Sequence, residues 1–257
     1  MTLHNDLQSL REPAPTGLID RILVEVGLAD QYARRSSPLG DVFVAFNRRG
    51  VTTVDLAISP EAFEQRFREI HGRNVVPATA LPAVIAAQVD KALADGRPGQ
   101  LALDLSGLSE FQQAVLLRAA TIPRGEVRPY GWIAKEIGKP DAVRAVGSAL
   151  ARNPVPVIIP CHRVVRSDGT LGKYSLGSDD NKRALLEIEG LDVEGFERLT
   201  ARGVRFVGSD TTRIFCHPTC HNVRRITEPH RVDFPSEVAA EKAGYRACQV
   251  CRPARAA

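Results

Sequence analysis

The chain has 257 residues, 44% hydrophobic and 25% charged, with a formal net charge of +4. This is the balance of an ordinary globular protein, long enough for one or two domains plus a small metal-stapled unit. No stretch approaches the roughly 20 apolar residues that span a bilayer, and Met1 to Arg11 shows no secretory signal, so a membrane-spanning chain is excluded and the expectation is cytoplasmic.

In chain order, Thr16 to Val26 carries Leu18, Ile22 and Val26 at helical spacing, with Thr16 as N-cap and Gly27 as stop. Residues 41–46 and 51–58, joined through Arg48-Arg49-Gly50, read as a β-hairpin. Ser59-Pro60-Glu61 opens a helix through Phe63, Phe67 and Ile70 that ends at Gly72; a second helix is expected from Leu81 to Ala94, and a strand from Leu101 to Leu105. Ser109 starts a helix that ends before Pro123. Pro129 to Ile137, the turn Gly138-Lys139-Pro140 and Asp141 to Arg152 then have helix-turn-helix spacing. The second of these helices is rich in small residues (Ala142, Ala145, Gly147, Ser148, Ala149, Ala151), which let a helix backbone approach its partner closely. Leu191 to Gly203 reads as a short linker. The predicted organisation is an α/β domain with its leader over 1–104, a mainly helical domain over 105–190, the linker over 191–203 and a small α+β module over 204–257.

Ile158-Ile159-Pro160-Cys161-His162-Arg163-Val164-Val165 places a cysteine and a histidine between two apolar runs. Such runs read as buried strands, and Pro160 cannot donate to a ladder, so the pair is expected at a strand end facing a pocket. A thiol attacks as thiolate, and a neighbouring imidazole raises the thiolate fraction. An inert buried cysteine is the alternative on spacing alone.

The other four cysteines, Cys216, Cys220, Cys248 and Cys251, form Cys-x3-Cys, 27 residues, Cys-x2-Cys. This pattern suits a tetrahedral four-cysteine zinc site, and close pairs in a cytosolic chain point to metal rather than disulfides. Charge adds to the picture: residues 202–257 hold ten Lys/Arg and five Asp/Glu, a surplus of +5 against −1 for the remainder. The module is therefore the polyanion-binding candidate. A segment this short has little core, so metal binding should supply part of its folding free energy.

Pro160-Cys161-His162-Arg163-Val164 resembles the alkyl-acceptor motif of the O6-alkylguanine-DNA alkyltransferases. Tyr130-Gly131-Trp132-Ile133-Ala134, Arg144-Ala145-Val146-Gly147, Asn153-Pro154-Val155-Pro156, Gly169, Gly172-Lys173-Tyr174, Lys182 and Glu189-Gly190 match in the same order, over about ninety residues. The resemblance implies an RNase H-like α/β N-terminal domain and direct-reversal repair of double-stranded DNA: one irreversible transfer of an alkyl (methyl) group from O6-alkylguanine to Cys161 after base flipping. That makes the chain a stoichiometric methylated-DNA–protein-cysteine S-methyltransferase. It assigns a Cys161-His162-Glu189 relay, Asn153 to the active-site turn, Tyr130 to rotation of the 3′ phosphate, Arg144 to the vacated base stack, and Tyr174 with Ser175 to the wall of the base pocket. The helix carrying Ala145 and Gly147 is implied to enter the minor groove, and Tyr174 and Lys182 to assist guanine departure or to order the pocket. The loop from Ser175 to Asn181 departs from the family by about one extra residue and two acids, leaving alkyl size open.

Residues 206–253 are similar to the metal-binding domain of Ada proteins, which implies that Cys216 is both zinc ligand and acceptor of a methyl group from methylphosphotriesters; a methyl-sensing DNA-affinity switch and a structural zinc module that supplies only basic contacts to DNA are the alternatives. Arg224-Arg225 matches the family's arginine pair, whereas Ile226 replaces a proline and Arg213 a glycine. One zinc ion, no organic cofactor and a monomer are expected. A non-enzymatic alkylation-damage sensor and a methyl-responsive transcription regulator are the competing readings; retention of Cys161 argues against the first, and the missing activator domain against the second.

Overall fold

The computed structural model describes residues 15 and 17–253; the proposed leader and the Thr16 N-cap lie outside the described residues. The chain begins with helix α1 (Leu18–Glu25), followed by β1 (Ala29–Ser37), β2 (Gly40–Asn47) and β3 (Gly50–Leu56). Helix α2 (Pro60–His71) starts where Ser59 accepts from the Ala62 N–H at 3.1 Å and ends at Gly72 in a left-handed conformation. Then come β4 (Asn74–Pro77) and α3 (Ala83–Asp95). The sheet order is β3-β2-β1-β4, antiparallel except for the parallel β1–β4 pair.

The hairpin and both helices follow the sequence pattern. The strands β1 and β4 were not expected, because β1 reads ADQYARRSS with little apolar alternation. Leu101 to Leu105 forms no strand; Leu103 makes one isolated bridge to Val51.

Helix α4 (Glu110–Ala119) is opened by a reciprocal Ser109–Gln112 capping box. It packs with α5 (Tyr130–Glu136) and α6 (Val143–Ala151). One apolar core runs from the first sheet (Val42, Val44, Val54) through α3 (Val89, Leu93) to Leu116, Ile133, Val146 and Ile158. The two-residue strand β5 (Arg128–Pro129) pairs in parallel with β6 (Val164–Val165).

The expectation that Cys161 sits at the end of a buried strand is corrected. Ile158 and Ile159 are fully buried, but the backbone there is a tight turn bridged Pro156 to Ile159, and Cys161–Arg163 form a 3-10 turn ahead of β6. Asn153 and two prolines bend the segment, so apolarity here reflects burial rather than ladder pairing.

The linker is also corrected. After α7 (Asp179–Ile188), helix α8 (Val193–Ala201) occupies that stretch, with Asp192 accepting from the Gly195 N–H at 2.8 Å. Val193 and Phe196 bury their side chains against Val127, Val165 and Leu186. The module that follows is a four-stranded sheet, β7 (Phe206–Ser209), β8 (Ile214–Cys216), β9 (Arg231–Phe234) and β10 (Arg246–Ala247), in the order β10-β8-β7-β9, with helix α9 (Glu237–Lys242) on one side.

Candidate functional site

The turn that presents Cys161 is fastened by Asn153. Its Oδ1 accepts from the Val155 N–H at 3.0 Å, while its Nδ2 donates to the Ile159 carbonyl at 2.9 Å and to Cys161 Sγ at 3.2 Å. Within the turn, Val157 has φ 69°. A β-branched residue in the left-handed region is strained, and such strain persists only where surrounding contacts over-determine it. Cys161 is 7% exposed.

His162 and Arg163 are fully buried, and both converge on Glu189 at the C-terminal end of α7. His162 Nε2 lies 2.8 Å from Glu189 Oε1; Arg163 donates to the same carboxylate through Nε at 2.9 Å and Nη2 at 2.7 Å. The guanidinium also donates to the Ile122 carbonyl at 2.7 Å and the Asp95 carbonyl at 3.2 Å, tying the site to α3. Burial opposes ionisation of Glu189, but the hydrogen bonds from His162 and Arg163 outweigh it and hold the carboxyl at about 2. Because this acceptor faces Nε2, the neutral imidazole carries its proton there. Nδ1 is left as a buried lone pair with no protein partner.

Burial pushes the Cys161 thiol up, against the Asn153 hydrogen bond and the Lys182 charge. Burial likewise pushes the His162 imidazole down, against the pull of Glu189. The resting pair is therefore neutral thiol and neutral imidazole. Lys182 is itself buried, donates to the Val164 carbonyl at 2.6 Å, and is lowered to about 8 by that burial.

Tyr174 stands edge-on to His162, centroids 6.2 Å apart, with its hydroxyl buried and without a protein partner. Tyr130 is half-buried at the start of α5, and a Cβ on Gly147 would lie 3.9 Å from its ring. Ser175 and Leu176 line a cleft of about 480 Å³ together with Asn153, Pro154 and Pro156. Arg144 and Ala145 are outside this cluster, exposed on the outer face of α6. In the unusual loop, Asp179 accepts from the Tyr174 N–H at 2.8 Å, so one of its two acids orders the tyrosine backbone.

Arg163 lies within the Pro160–Val164 motif, but its role is not legible there. A charged residue inside an apolar run was the available signal. Nothing in the sequence marked Gly96, where an added Cβ would meet Arg163 Nη2 and lie 2.8 Å from Glu189 Oε1.

The second cluster is built by the C-terminal sheet. Cys216 ends β8 and Cys248 follows β10, which pairs with β8, so the register brings the two cysteine pairs together. Among the described residues, Cys216, Cys220, Cys248 and Cys251 are buried and free, with sulfurs all within 4.8 Å of one another. The His217 N–H points at Cys251 Sγ at 3.4 Å, and Asn222 Nδ2 at Cys248 Sγ at 3.6 Å. Four converging sulfurs with N–H groups turned toward them fit a zinc ion held by thiolates.

Cys216 borders a cleft of about 550 Å³ with Thr211, Thr212, Arg225 and Arg246. Arg224 diverges from its neighbour into a separate cleft beside Gly125. Arg213 has φ 53°, a conformation that favours glycine, and its guanidinium lies 5.1 Å from the centre of the Tyr245 ring.

Residues 110–191 match the family described as 6-O-methylguanine DNA methyltransferase, DNA binding domain, and residues 196–254 the metal binding domain of Ada. The chain is 53% identical over 87 residues to a methylated-DNA–protein-cysteine methyltransferase of Mycobacterium tuberculosis, covering 34% of this chain and 52% of that protein. It is 39% identical over 169 residues to the bifunctional transcriptional activator/DNA repair enzyme Ada of Escherichia coli, covering 65% of this chain and 47% of that one. The chain thus spans about half the length of the curated relatives it matches. A crystal structure of the M. tuberculosis O6-methylguanine methyltransferase superposes with a TM-score of 0.51 at 34% identity, covering 62% of this chain and 92% of the other. No helix among the described residues is long and apolar enough to cross a membrane. With that methyltransferase matched over almost its whole length, the chain belongs to the O6-methylguanine-DNA methyltransferase family.

Proposed function

We propose that this protein repairs alkylated DNA directly, taking the alkyl group from O6-alkylguanine onto Cys161 in a single irreversible turnover. The observation that carries the reading is the neutral thiol beside an imidazole whose Nε2–H is anchored on ionised Glu189 and whose Nδ1 is free to accept a proton. The target base is stacked in duplex DNA and must be extruded before a thiol can reach it. Helices α5 and α6 serve as the helix-turn-helix DNA-binding unit. Exposed Arg144 fills the vacated stack, Ala145 and Gly147 keep the helix face small, and Tyr130 guides the 3′ phosphate. The mixed sheet order β3-β2-β1-β4 supports the RNase H-like reading of the N-terminal domain.

In the transfer, the Cys161 proton passes to His162 Nδ1 through a water, and the thiolate sulfur bonds to the alkyl carbon as the bond to guanine O6 breaks. Asn153 holds the sulfur in place, Tyr174 and Ser175 frame the base, and Lys182 stabilises the developing thiolate. Guanine leaves as it takes up the proton that the His162 imidazolium returns through water, and the thioether remains on Cys161. Each molecule acts once, as a monomer with one zinc ion and no organic cofactor.

A second acceptor is favoured by the cleft beside Cys216, where Arg225 and Arg246 stand ready to hold a phosphate. Zinc, when bound, keeps its four thiolates deprotonated and electron-rich. The Cys216 sulfur would bond to the methyl carbon as the bond from that carbon to the triester oxygen breaks, leaving a phosphodiester anion that Arg225 and Arg246 hold.

The test is incubation of zinc-loaded protein with DNA methylated at guanine O6 and at phosphates, followed by peptide mass spectrometry. Methyl on Cys161 and Cys216 is expected; Cys161→Ala should lose the first alone and Cys216→Ser the second alone. Persistent O6 repair by Cys161→Ala would overturn the acceptor assignment. Lesion binding without any methyl on Cys161 would favour the damage-sensor reading, and methyl-dependent binding of a promoter the regulator.

A further inference from the structure

The cysteine loops do not hang free of the alkyltransferase unit. They are seated on a wall made by residues 126–129, the segment that pairs with the strand after Cys161-His162-Arg163 and runs into Tyr130. Glu126, Val127 and Arg128 lead into β5, which pairs with β6 immediately after Cys161-His162-Arg163, and Pro129 caps the helix that begins with Tyr130. Thr219 Oγ1 accepts from the Val127 N–H at 2.9 Å and donates to the Val127 carbonyl at 3.3 Å. The His221 N–H donates to Glu126 Oε1 at 3.0 Å, while Glu126 also pairs with buried Arg128. Trp132 Nε1 donates to the carbonyl of Cys251 at 3.0 Å.

Each of these contacts on the module's side comes from a residue that flanks or is one of the four cysteines. Glu126, Arg128, Trp132 and Thr219 are all at most 8% exposed. Lys135–Glu237 at 2.8 Å and Arg252–Glu136 at 2.6 Å close the periphery. A loop that takes its shape from a metal site therefore supplies the hydrogen-bond partners of the wall.

We propose that Thr219, with the Cys251 carbonyl, is a positioning element for the O6-alkylguanine reaction: the metal-folded cysteine loops set the wall that carries Tyr130, and the two acceptor sites are thereby coupled. The inference rests on the transfer to Cys161 proposed above. Loss of the module's shape loosens β5 and the first turn of the Tyr130 helix, so that the 3′ phosphate is guided less well and guanine is presented to Cys161 less often. Coupling of this kind is reciprocal in binding.

Trp132 is the single tryptophan of the chain and reports on the interface. In the full-length protein, chelation of zinc is expected to shift Trp132 emission to the red. At saturating alkylated DNA it should also slow single-turnover transfer to Cys161 about tenfold, with both effects reversed by zinc. The saturating rate separates wall positioning from the module's DNA affinity. Thr219→Val, which keeps the four cysteines, should slow the saturating rate severalfold with zinc content unchanged, whereas Thr219→Ser should restore it. If chelation unfolds the chain, this Val/Ser pair decides the matter at full zinc loading. Unchanged saturating rates in Thr219→Val would overturn the proposal. Absence of any transfer to Cys161 in the unmodified protein would instead sink the acceptor reading, while the Trp132 shift would still report on zinc-dependent docking.

Discussion

Replacing Glu189 with Gln keeps the shape of the side chain and removes its charge. The carboxylate accepts from His162 Nε2 at 2.8 Å and from Arg163 at 2.9 and 2.7 Å, and it is almost fully shielded from solvent. Its fall from an ordinary 4.5 to about 2 corresponds to roughly 3 kcal/mol of preference for the ionised form in the folded state. Removing one partner of a buried ion pair costs about 3–5 kcal/mol, which agrees. Glu189→Gln should therefore lose about 3 kcal/mol at pH 7, a fall in Tm of roughly 6–12 °C for a chain of this size.

The sign with pH follows from the depressed value. The stabilisation is fully present above about 4.5 and is lost as pH falls toward about 2. Urea titrations at pH 7, 4 and 2.5 should show the difference between parent and variant shrinking on acidification. The chemical step should suffer separately: with no carboxylate to fix the Nε2–H tautomer, transfer to Cys161 should slow at least about 100-fold at saturating DNA. A Glu189→Gln protein that transfers within threefold of the parent would refute the relay, whatever its stability.

The buried lysine gives a different pH signature. Lys182 is held at about 8, so its charge supports the Cys161 thiolate below that pH and fades above it. Lys182→Met should slow transfer about tenfold at pH 7 and progressively less as pH rises through 8; a constant ratio across pH 6.5–9.5 would exclude an electrostatic role. Its folded value lies below the unfolded one, so the burial penalty is full below about 8 and lifts toward 10.5. With the Val164 bond also lost, Lys182→Met should leave stability at pH 7 unchanged or raised by up to about 2 kcal/mol, measurable by urea titration. Gly96→Ala puts a methyl group at left-handed φ +61° against Arg163 and Glu189. Strain of about 1 kcal/mol plus a disturbed buried bond of about 1–3 kcal/mol should destabilise by about 2–4 kcal/mol in thermal denaturation. That cost should shrink when Glu189→Gln is already present.

The sequence exposed chemistry better than geometry. Cysteine spacing announced the sulfur cluster because metal ligands must be deprotonable and close, and β8 with β10 achieves this by simple register. Strand β1 was illegible because its burial comes from a few residues such as Tyr32 and Ala33 in a polar run. Helix α8 reads as a linker although Val193 and Phe196 share a face, since its apolar stripe is short and meaningful only once Val127 and Leu186 lie opposite. The run Ile158-Ile159 reads as a strand but closes a turn, because apolarity cannot distinguish ladder pairing from burial. Arg163 and Gly96 were missed for a related reason: what matters there is a neighbour nearly seventy residues away in the chain, the Asp95 carbonyl in one case and the guanidinium in the other.

Cys161 and Cys216, the two acceptors proposed above, face opposite electrostatic problems. Cys161 must wait, and burial does this by keeping the thiol protonated and the imidazole neutral, so the resting site carries no exposed nucleophile. The same burial makes the thiolate poorly solvated once formed, and therefore reactive toward an alkyl carbon brought to it. Glu189 cannot relieve this, because it is itself an anion and its oxygens are already taken by Arg163 and His162. It can only favour the imidazolium after the proton moves, which confines activation to the moment when a base is in place. Cys216 sits among three other sulfurs, where burial without metal would crowd thiolates together at high cost; a divalent cation turns that crowding into a persistent nucleophile. On the proposed reading one site is armed by its substrate and the other by its metal, and the Val127–Thr219 seam is where the second would steady the first.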